Sequence, residues 1–353
     1  MTDSVVYRQV GFPVFQNKVY ATRELAMRAV AGDVELVQSA ESGLIYNNKF
    51  DPKRLDYGQD YQNEQACSPV FQKHLEHVLD IVRGSVTADQ VGIEVGCGKG
   101  YFLEMLVCAG FSVTGYDPAY EGYSSHVKRE YFGQSPINAR PDYVILRHVL
   151  EHINDPWTFL AMLSANSKSG TLIYIEVPCF DWILKNNAFY DIFYEHVNYF
   201  TLSVLAEAFS RVIESGQIFG GQYIYLIADL SSFKTPSEYN GMRLSSLRID
   251  GYLEALLAKK MNAFTSTYIW GAGAKGITFS NILTKKGVCV EAIVDINPAK
   301  QGRFSALSAL PIIAPDSARS GLIGADVYVM NPLYLDEITA MVSDPEINWI
   351  PVT

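Results

Sequence analysis

Cysteine is scarce: five in 353 residues, at Cys67, Cys97, Cys108, Cys179 and Cys289. None forms a C-x-x-C pair, which argues against both a zinc site and a secreted disulfide framework; reduced thiols in a cytoplasmic protein are the expectation. No apolar run reaches the ~20 residues that a membrane span needs, and no basic-then-apolar leader pattern is visible, so no membrane partner is expected. Lysine and arginine are outnumbered by acids, 28 to 38, and the net charge of -10 makes nucleic acid an unexpected partner, because phosphates want a basic face. His74, His77 and His126 lack metal-like spacing with acids or cysteines. They are expected at the surface or at caps, and no metal is expected.

What is present is a globular composition, 48% hydrophobic and 19% charged, in a chain long enough for two or three compact units. Up to about residue 53 the pattern is weak. Ser68-Pro69 then reads as a helix start, continued by apolar residues at helical spacing as far as Val82. Short apolar runs at 91–96, 112–117, 142–148 and 171–178 predict strands, alternating with helices, and Asn154-Asp155-Pro156 predicts a capped helix. That order argues for βαβ units and a mostly parallel sheet. Runs at 212–219 and 223–230 flank Gly220-Gly221 and predict an antiparallel hairpin at its edge. A polar segment and a helix over 253–264 lead to a second βαβ pattern starting at Thr267. The predicted organisation is an N-terminal cover or lid segment (1–80), an α/β domain (81–230), a helical linker (231–265) and a smaller α/β domain (266–353).

The first glycine loop, Glu94-Val95-Gly96-Cys97-Gly98-Lys99-Gly100, sits where a strand hands over to a helix. Asp117 ends the following strand, near the ~20-residue offset at which an acid meets ribose hydroxyls. The combination predicts an adenosine-containing cofactor; the alternative is a tight structural turn. A dinucleotide fingerprint wants glycine where this chain has Tyr101. Glycines at alternate positions behind an acid resemble motif I of class I S-adenosylmethionine methyltransferases. Arg147-His148-Val149-Leu150-Glu151-His152-Ile153 with Asp155-Pro156, and Ile175-Glu176-Val177-Pro178, resemble that family's segments at strands four and five. The resemblance covers residues 85–230. It implies a doubly wound, Rossmann-like fold binding S-adenosyl-L-methionine through Glu94, Gly96, Cys97, Gly98, Gly100, Tyr101, Asp117, Pro118 and His148. Tyr57 and Tyr61 are either a lid over the methionine end of the cofactor or part of a surface loop.

The most chemical stretch is 189–201, where Glu195-His196 stands among aromatics. A histidine there is either a general base of tunable pKa or a hydrogen-bonded structural residue. The order of core, Glu-His loop, Gly220-Gly221 and a C-terminal α/β domain carrying Trp270-Gly271-Ala272-Gly273-Ala274-Lys275-Gly276 is similar to the sugar-nucleotide C-methyltransferases. That resemblance implies C-methylation beside the keto group of a nucleotide-linked deoxysugar. His196 would be the base, Glu195 an orienting or polarising group, and Tyr194 or Tyr190 the holder of an enolate oxygen. Two departures stand out. No cysteine precedes Cys67, so the cysteine-rich zinc module with which those enzymes usually open has no counterpart here. Phe193 occupies the place of a family tyrosine. The alternatives are an O-methyltransferase acting on a sugar or small metabolite and a non-catalytic nucleotide- or NAD-binding protein.

The second loop, Gly271-x-Gly273-x-x-Gly276 with Asp295 downstream, meets the dinucleotide fingerprint better than the first. It is read three ways: its helix N-terminus and Lys275 hold a substrate diphosphate, it binds NAD, or it carries no ligand. The resemblance favours the first, with Gly220, Gly221, Gly271, Gly273, Ala274 and Lys275 as substrate-binding residues. The pocket is expected in the cleft between the two α/β domains, at the carboxyl ends of their strands.

Overall fold

The computed structural model describes residues 2–55, 68–134, 140–247, 250–262 and 264–352. Its centre is a seven-stranded sheet. From one edge to the other it runs Val212–Ile218, Tyr223–Asp229, Leu172–Pro178, Tyr143–Arg147, Val91–Val95, Ser112–Tyr116 and Val127–Lys128. The last five are mutually parallel, and the hairpin strand Tyr223–Asp229 pairs antiparallel with Leu172–Pro178. This is the doubly wound α/β fold that the sequence predicts, finished by the expected hairpin. Helix Pro69–Ser85 packs Phe71, Leu75, Val78, Leu79 and Val82 onto one sheet face together with Leu103 and Leu106 of helix Tyr101–Cys108. Helix Pro156–Ala165 covers the other face, with proline in its first turn and Asp155 accepting the Thr158 N–H at 3.0 Å.

A second sheet has five strands, all parallel: Ile312–Ile313, Ala292–Val294, Thr267–Trp270, Asp326–Val329 and Asn348–Pro351. In both sheets the strand that precedes the glycine loop has a neighbour on either side. Each loop therefore opens at a point where strand order reverses, which is where open α/β sheets bind ligands.

The weak N-terminal pattern conceals strands. Ser4–Pro13, Ala31–Gln38 and Ile45–Asn47 form an antiparallel sheet that is completed by Asn198–Tyr199, two positions after His196. Register shifts between Val5 and Tyr7 and between Gln9 and Phe12 break the alternation of sides in the first strand, so period-two reasoning misses it. The linker helix also differs: it spans Asp250–Leu257, anchored by buried Leu253 and Leu256, and stops before Lys259-Lys260, where no buried apolar side chain continues its face. One apolar core joins Val34 and Leu36 of the N-terminal sheet, Tyr190 and Tyr194, and Ile269 and Ile293 of the second sheet. Among the described residues no helix is long and apolar enough to cross a membrane.

Candidate active site

The two glycine loops and the Glu-His loop meet in one cavity of about 410 Å³. Gly96, Gly98 and Gly100 have φ of +72°, +55° and +79°, conformations that side chains rarely adopt. A Cβ on Gly98 would meet no protein atom within 4 Å, so the loop presents bare backbone to open space. Asp117 shapes the loop from below: its carboxylate accepts the N–H of Gly98 at 2.9 Å and that of Ala119 at 2.8 Å. Burial raises its pKa. The second loop repeats the device, with Asp295 accepting the N–H of Ala272 at 2.6 Å and that of Asn297 at 2.8 Å. A Cβ on Gly273 would also meet nothing within 4 Å.

Glu94, Gly96, Cys97, Gly98, Tyr101 and His148 line the cavity, whereas Gly100, Asp117 and Pro118 do not. Glu94 is buried with its Oε2 unpartnered, and burial, opposed by Arg147, pushes its pKa up to about 7. A buried carboxyl with one oxygen unpartnered beside bare loop backbone fits a ligand that carries positive charge, as S-adenosylmethionine does. Tyr57 and Tyr61 lie outside the described residues.

Beneath the cavity lies a charge network organised by Glu176, a fully buried residue of strand Leu172–Pro178. Its carboxylate contacts Arg147 (Nε 3.0 Å, a terminal nitrogen 3.3 Å), His148 Nε2 (3.1 Å), His74 Nε2 (2.9 Å) and the Tyr174 hydroxyl (3.0 Å). Burial opposes its ionisation, but Arg147, then His148 and His74, hold its pKa well below the carboxylate range. His148 carries a φ of +53°, a strained backbone for a non-glycine residue, and its Nδ1 lies 3.4 Å from Glu151. Burial opposes charge on this ring, yet Glu151 and Glu176 outweigh it and raise its pKa to about 9. His74 is therefore not the surface or cap residue expected; burial keeps its pKa low, and it reaches Glu176 from helix Pro69–Ser85. His77 and His126 are exposed, as expected.

The structure separates the candidate catalytic residues. His196 lines the cavity. Its ring lies 4.0 Å from that of Phe193 and 4.9 Å from that of His152, and its buried Nδ1 has no hydrogen-bond partner. Burial, with His152, His148 and Lys275 nearby, drives its pKa well below the ordinary value, so the ring is neutral at pH 7. Glu195 instead turns toward the N-terminal segment, accepting the Gln16 N–H at 2.8 Å. The Tyr194 hydroxyl accepts the Asp51 N–H at 2.8 Å, and the Tyr190 hydroxyl donates to the Val352 carbonyl at 2.8 Å. None of these three side chains lines the cavity. Alternation along a buried loop directs successive side chains to different elements, and only one of the four arrives at the opening. Glu151, His152 and Asp191, to which the sequence alone assigns no role, do line it.

Gly220 and Gly221 form the tight hairpin turn at φ of +63° and +84° and face Leu333 and Trp182 rather than the cavity. Their neighbour Gln222 is the contact: its side chain accepts from Lys275 Nζ at 2.7 Å and donates to Asn331 at 2.9 Å. Lys275 also pairs with Asp191 at 3.0 Å, so its ammonium is held between the two halves of the site. Gly271, Gly273 and Ala274 line the cavity with it.

Two family models match the chain: a methyltransferase domain over residues 74–212 and a C-methyltransferase C-terminal domain over residues 230–343. The C-methyltransferase NovU of Streptomyces niveus is 26% identical over 288 residues, 70% of this chain and 68% of that protein. Among solved structures, the N-methyltransferase NodS of Bradyrhizobium japonicum in complex with S-adenosyl-L-homocysteine is 17% identical, over 46% of this chain and 88% of that one, with a TM-score of 0.34. The PH0226 protein of Pyrococcus horikoshii is 12% identical over 49% of this chain and 99% of that one, with a TM-score of 0.37. Between them the two family models take in the glycine loop at 96–100, the Glu-His loop and the second glycine loop, and the chain is an S-adenosylmethionine-dependent methyltransferase with a C-methyltransferase C-terminal domain.

Proposed function

We propose that the protein methylates carbon beside the ketone of a nucleotide-linked deoxysugar, with His196 as the base. The observation that carries this reading is that, of the four candidate catalytic side chains of the Glu-His loop, His196 is the one that reaches the cavity shared by both glycine loops. Bound S-adenosylmethionine supplies an electrophilic methyl group and leaves as a thioether. The first loop, through Gly96, Gly98 and Glu94 with Asp117 behind it, is the cofactor side. The second, through Gly271, Gly273, Ala274 and Lys275, is the nucleotide side. A substrate lying between them presents its sugar to His196.

A ketone makes the neighbouring C–H acidic, and the neutral imidazole removes that proton to leave an enolate. The Tyr190 and Tyr194 hydroxyls are engaged elsewhere, and His152, the polar group beside His196, donates its Nδ1–H to the Glu195 carbonyl at 2.9 Å, so its Nε2 donates to the enolate oxygen only when the ring is protonated. That bond supports a positioning role for Glu195 through its backbone rather than its carboxylate. Similarity to NovU, a C-methyltransferase, supports carbon over oxygen as the acceptor.

The test is incubation with S-adenosylmethionine and a panel of nucleoside-diphosphate keto-deoxyhexoses, locating the new methyl by NMR. A new C–CH₃ group is expected, with His196→Gln abolishing turnover while S-adenosylhomocysteine still binds. An O-methyl product, or full turnover by His196→Gln, overturns the reading.

A further inference from the structure

Glu151 is the unexplained acid of the cavity. It is 1% exposed, and neither carboxylate oxygen has a hydrogen-bond partner. It sits in the 3₁₀ turn Leu150–His152, which is pinned against the base's loop: the Glu151 carbonyl accepts the Val197 N–H at 2.8 Å, and Asn198 Nδ2 donates to the Ile153 carbonyl at 2.6 Å. Donor atoms of Glu151, His152 and His196 lie within 4.8 Å of one another. On its other side Glu151 faces His148 Nδ1 at 3.4 Å, and through that ring the Glu176 network. A buried carboxylate without a hydrogen bond, its one ion-pair contact being His148, and a buried imidazole Nδ1 without a hydrogen bond thus belong to one cluster lining the cavity. Such groups are costly to leave unsatisfied unless a step of the reaction brings them together.

We propose that Glu151 is the positioning residue of the base: it accepts the Nδ1–H of His196, fixes the tautomer that leaves Nε2 as the proton acceptor, and stabilises the imidazolium once formed. The inference rests on the assignment of His196 as the base. In the step it serves, Nε2 takes the proton and the C–H electron pair stays on the substrate as the enolate. That pair then forms the new C–C bond to the methyl group as the C–S pair leaves with sulfur, and the imidazolium returns its proton to solvent. The groups around His196 are His148 and Lys275 on the positive side, Glu151 and the Asp191 that pairs with Lys275 on the negative, and the His152 ring beside it. Without an anion beside it, a second imidazolium would form among like charges.

The same trio has the composition of a divalent-metal site. The charged His148 ring, 3.4 Å from Glu151, argues against that use: it already stands as counter-ion to the carboxylate that a divalent cation would need.

The experiment compares wild type, Glu151→Gln, Glu151→Asp and His196→Gln in the full chain, each checked for a cooperative thermal melt. The His196 imidazole pKa is followed by NMR in protein labelled at histidine nitrogens. Turnover is measured on the keto-deoxyhexose panel. Loss of the carboxylate in Glu151→Gln is expected to lower the His196 pKa by about one unit and kcat by 30-fold or more, with the KM for S-adenosylmethionine within twofold; Glu151→Asp restores part of kcat. An unchanged His196 pKa, or an unchanged kcat in Glu151→Gln alongside an inactive His196→Gln, overturns the role of Glu151 while leaving the base in place. Full turnover by His196→Gln instead removes the base assignment itself. Activity that is lost on dialysis against EDTA and restored by Zn²⁺ or Mn²⁺ makes the trio a metal site and also overturns the proposal.

Discussion

Replacing Glu176 by glutamine removes one negative charge and leaves the shape. Glu176 is fully buried and receives Arg147 at 3.0 and 3.3 Å, His148 at 3.1 Å, His74 at 2.9 Å and Tyr174 at 3.0 Å. The amide oxygen can serve one side of this set, but the amide nitrogen turns two donors toward donors already there. Removing one partner of a buried charge group costs about 3–5 kcal/mol, because the remaining charge is left uncompensated. A second consequence follows from linkage. His148 is raised to about 9 from an ordinary value near 6.5, a difference of about 3 kcal/mol in favour of the folded protein. Because the folded value lies above the unfolded one, that stabilisation is complete below about pH 6.5 and lost as pH rises through about 9. Glu176→Gln removes one of the two carboxylates that sustain it, so the variant's stability should fall less over that window. Urea unfolding followed by circular dichroism at pH 6, 7.5 and 9.5 measures both effects. A loss below about 1 kcal/mol at pH 7.5, or an unchanged pH slope, would refute the account of this network.

Three further outcomes follow from the loops. Asp117→Ala should weaken S-adenosylhomocysteine binding tenfold or more by calorimetry, about 1.4 kcal/mol, because the loop loses the acceptor that holds Gly98 and Ala119; undiminished binding would place the cofactor elsewhere. Gly276→Ala should lower the melting temperature sharply, since its Cβ would run into the Gly271 carbonyl, an overpacking worth about 1–3 kcal/mol or more. Gly273→Ala, whose Cβ meets nothing at a φ of -82°, should melt like wild type but bind nucleotide sugar more weakly; equal melting of the two variants would contradict the packing argument. Lys275→Ala should raise the KM for nucleotide sugar far more than that for S-adenosylmethionine in steady-state kinetics, and equal effects on both would count against the nucleotide side assigned to the second loop.

Local features are legible in the sequence because local backbone geometry causes them. A glycine run between a strand and a helix, with an aspartate one strand later, can be read from neighbouring residues, and both loops stand where they were expected. The antiparallel hairpin at Gly220-Gly221 was legible for the same reason. The Glu176 network was not, since His74, Arg147, His148 and Tyr174 come from three separate elements and meet only across the folded sheet. In 189–201 the residue types point to chemistry, but their directions depend on partners far away: Gln16 takes Glu195, Asp51 takes Tyr194 and Val352 takes Tyr190. Glu151 lies inside a motif read for its resemblance, with nothing in its own neighbourhood to show that its carboxylate comes within 4.8 Å of donor atoms of His152 and His196. The N-terminal strands escaped because their bulges erase the alternation by which a strand is recognised.

The strand Asn198–Tyr199 completes a sheet begun by residues 4–47, and the Gln16 to Glu195 hydrogen bond closes a loop of 179 residues. Contacts of such sequence separation carry a loop-closure cost that local ones do not. The turn of the cofactor loop is held by a far more local contact, Gly98 to Asp117. The grip on the methyl donor and the holding of the base therefore differ in reach: one is set by neighbouring elements, the other by the N-terminal segment meeting the middle of the chain.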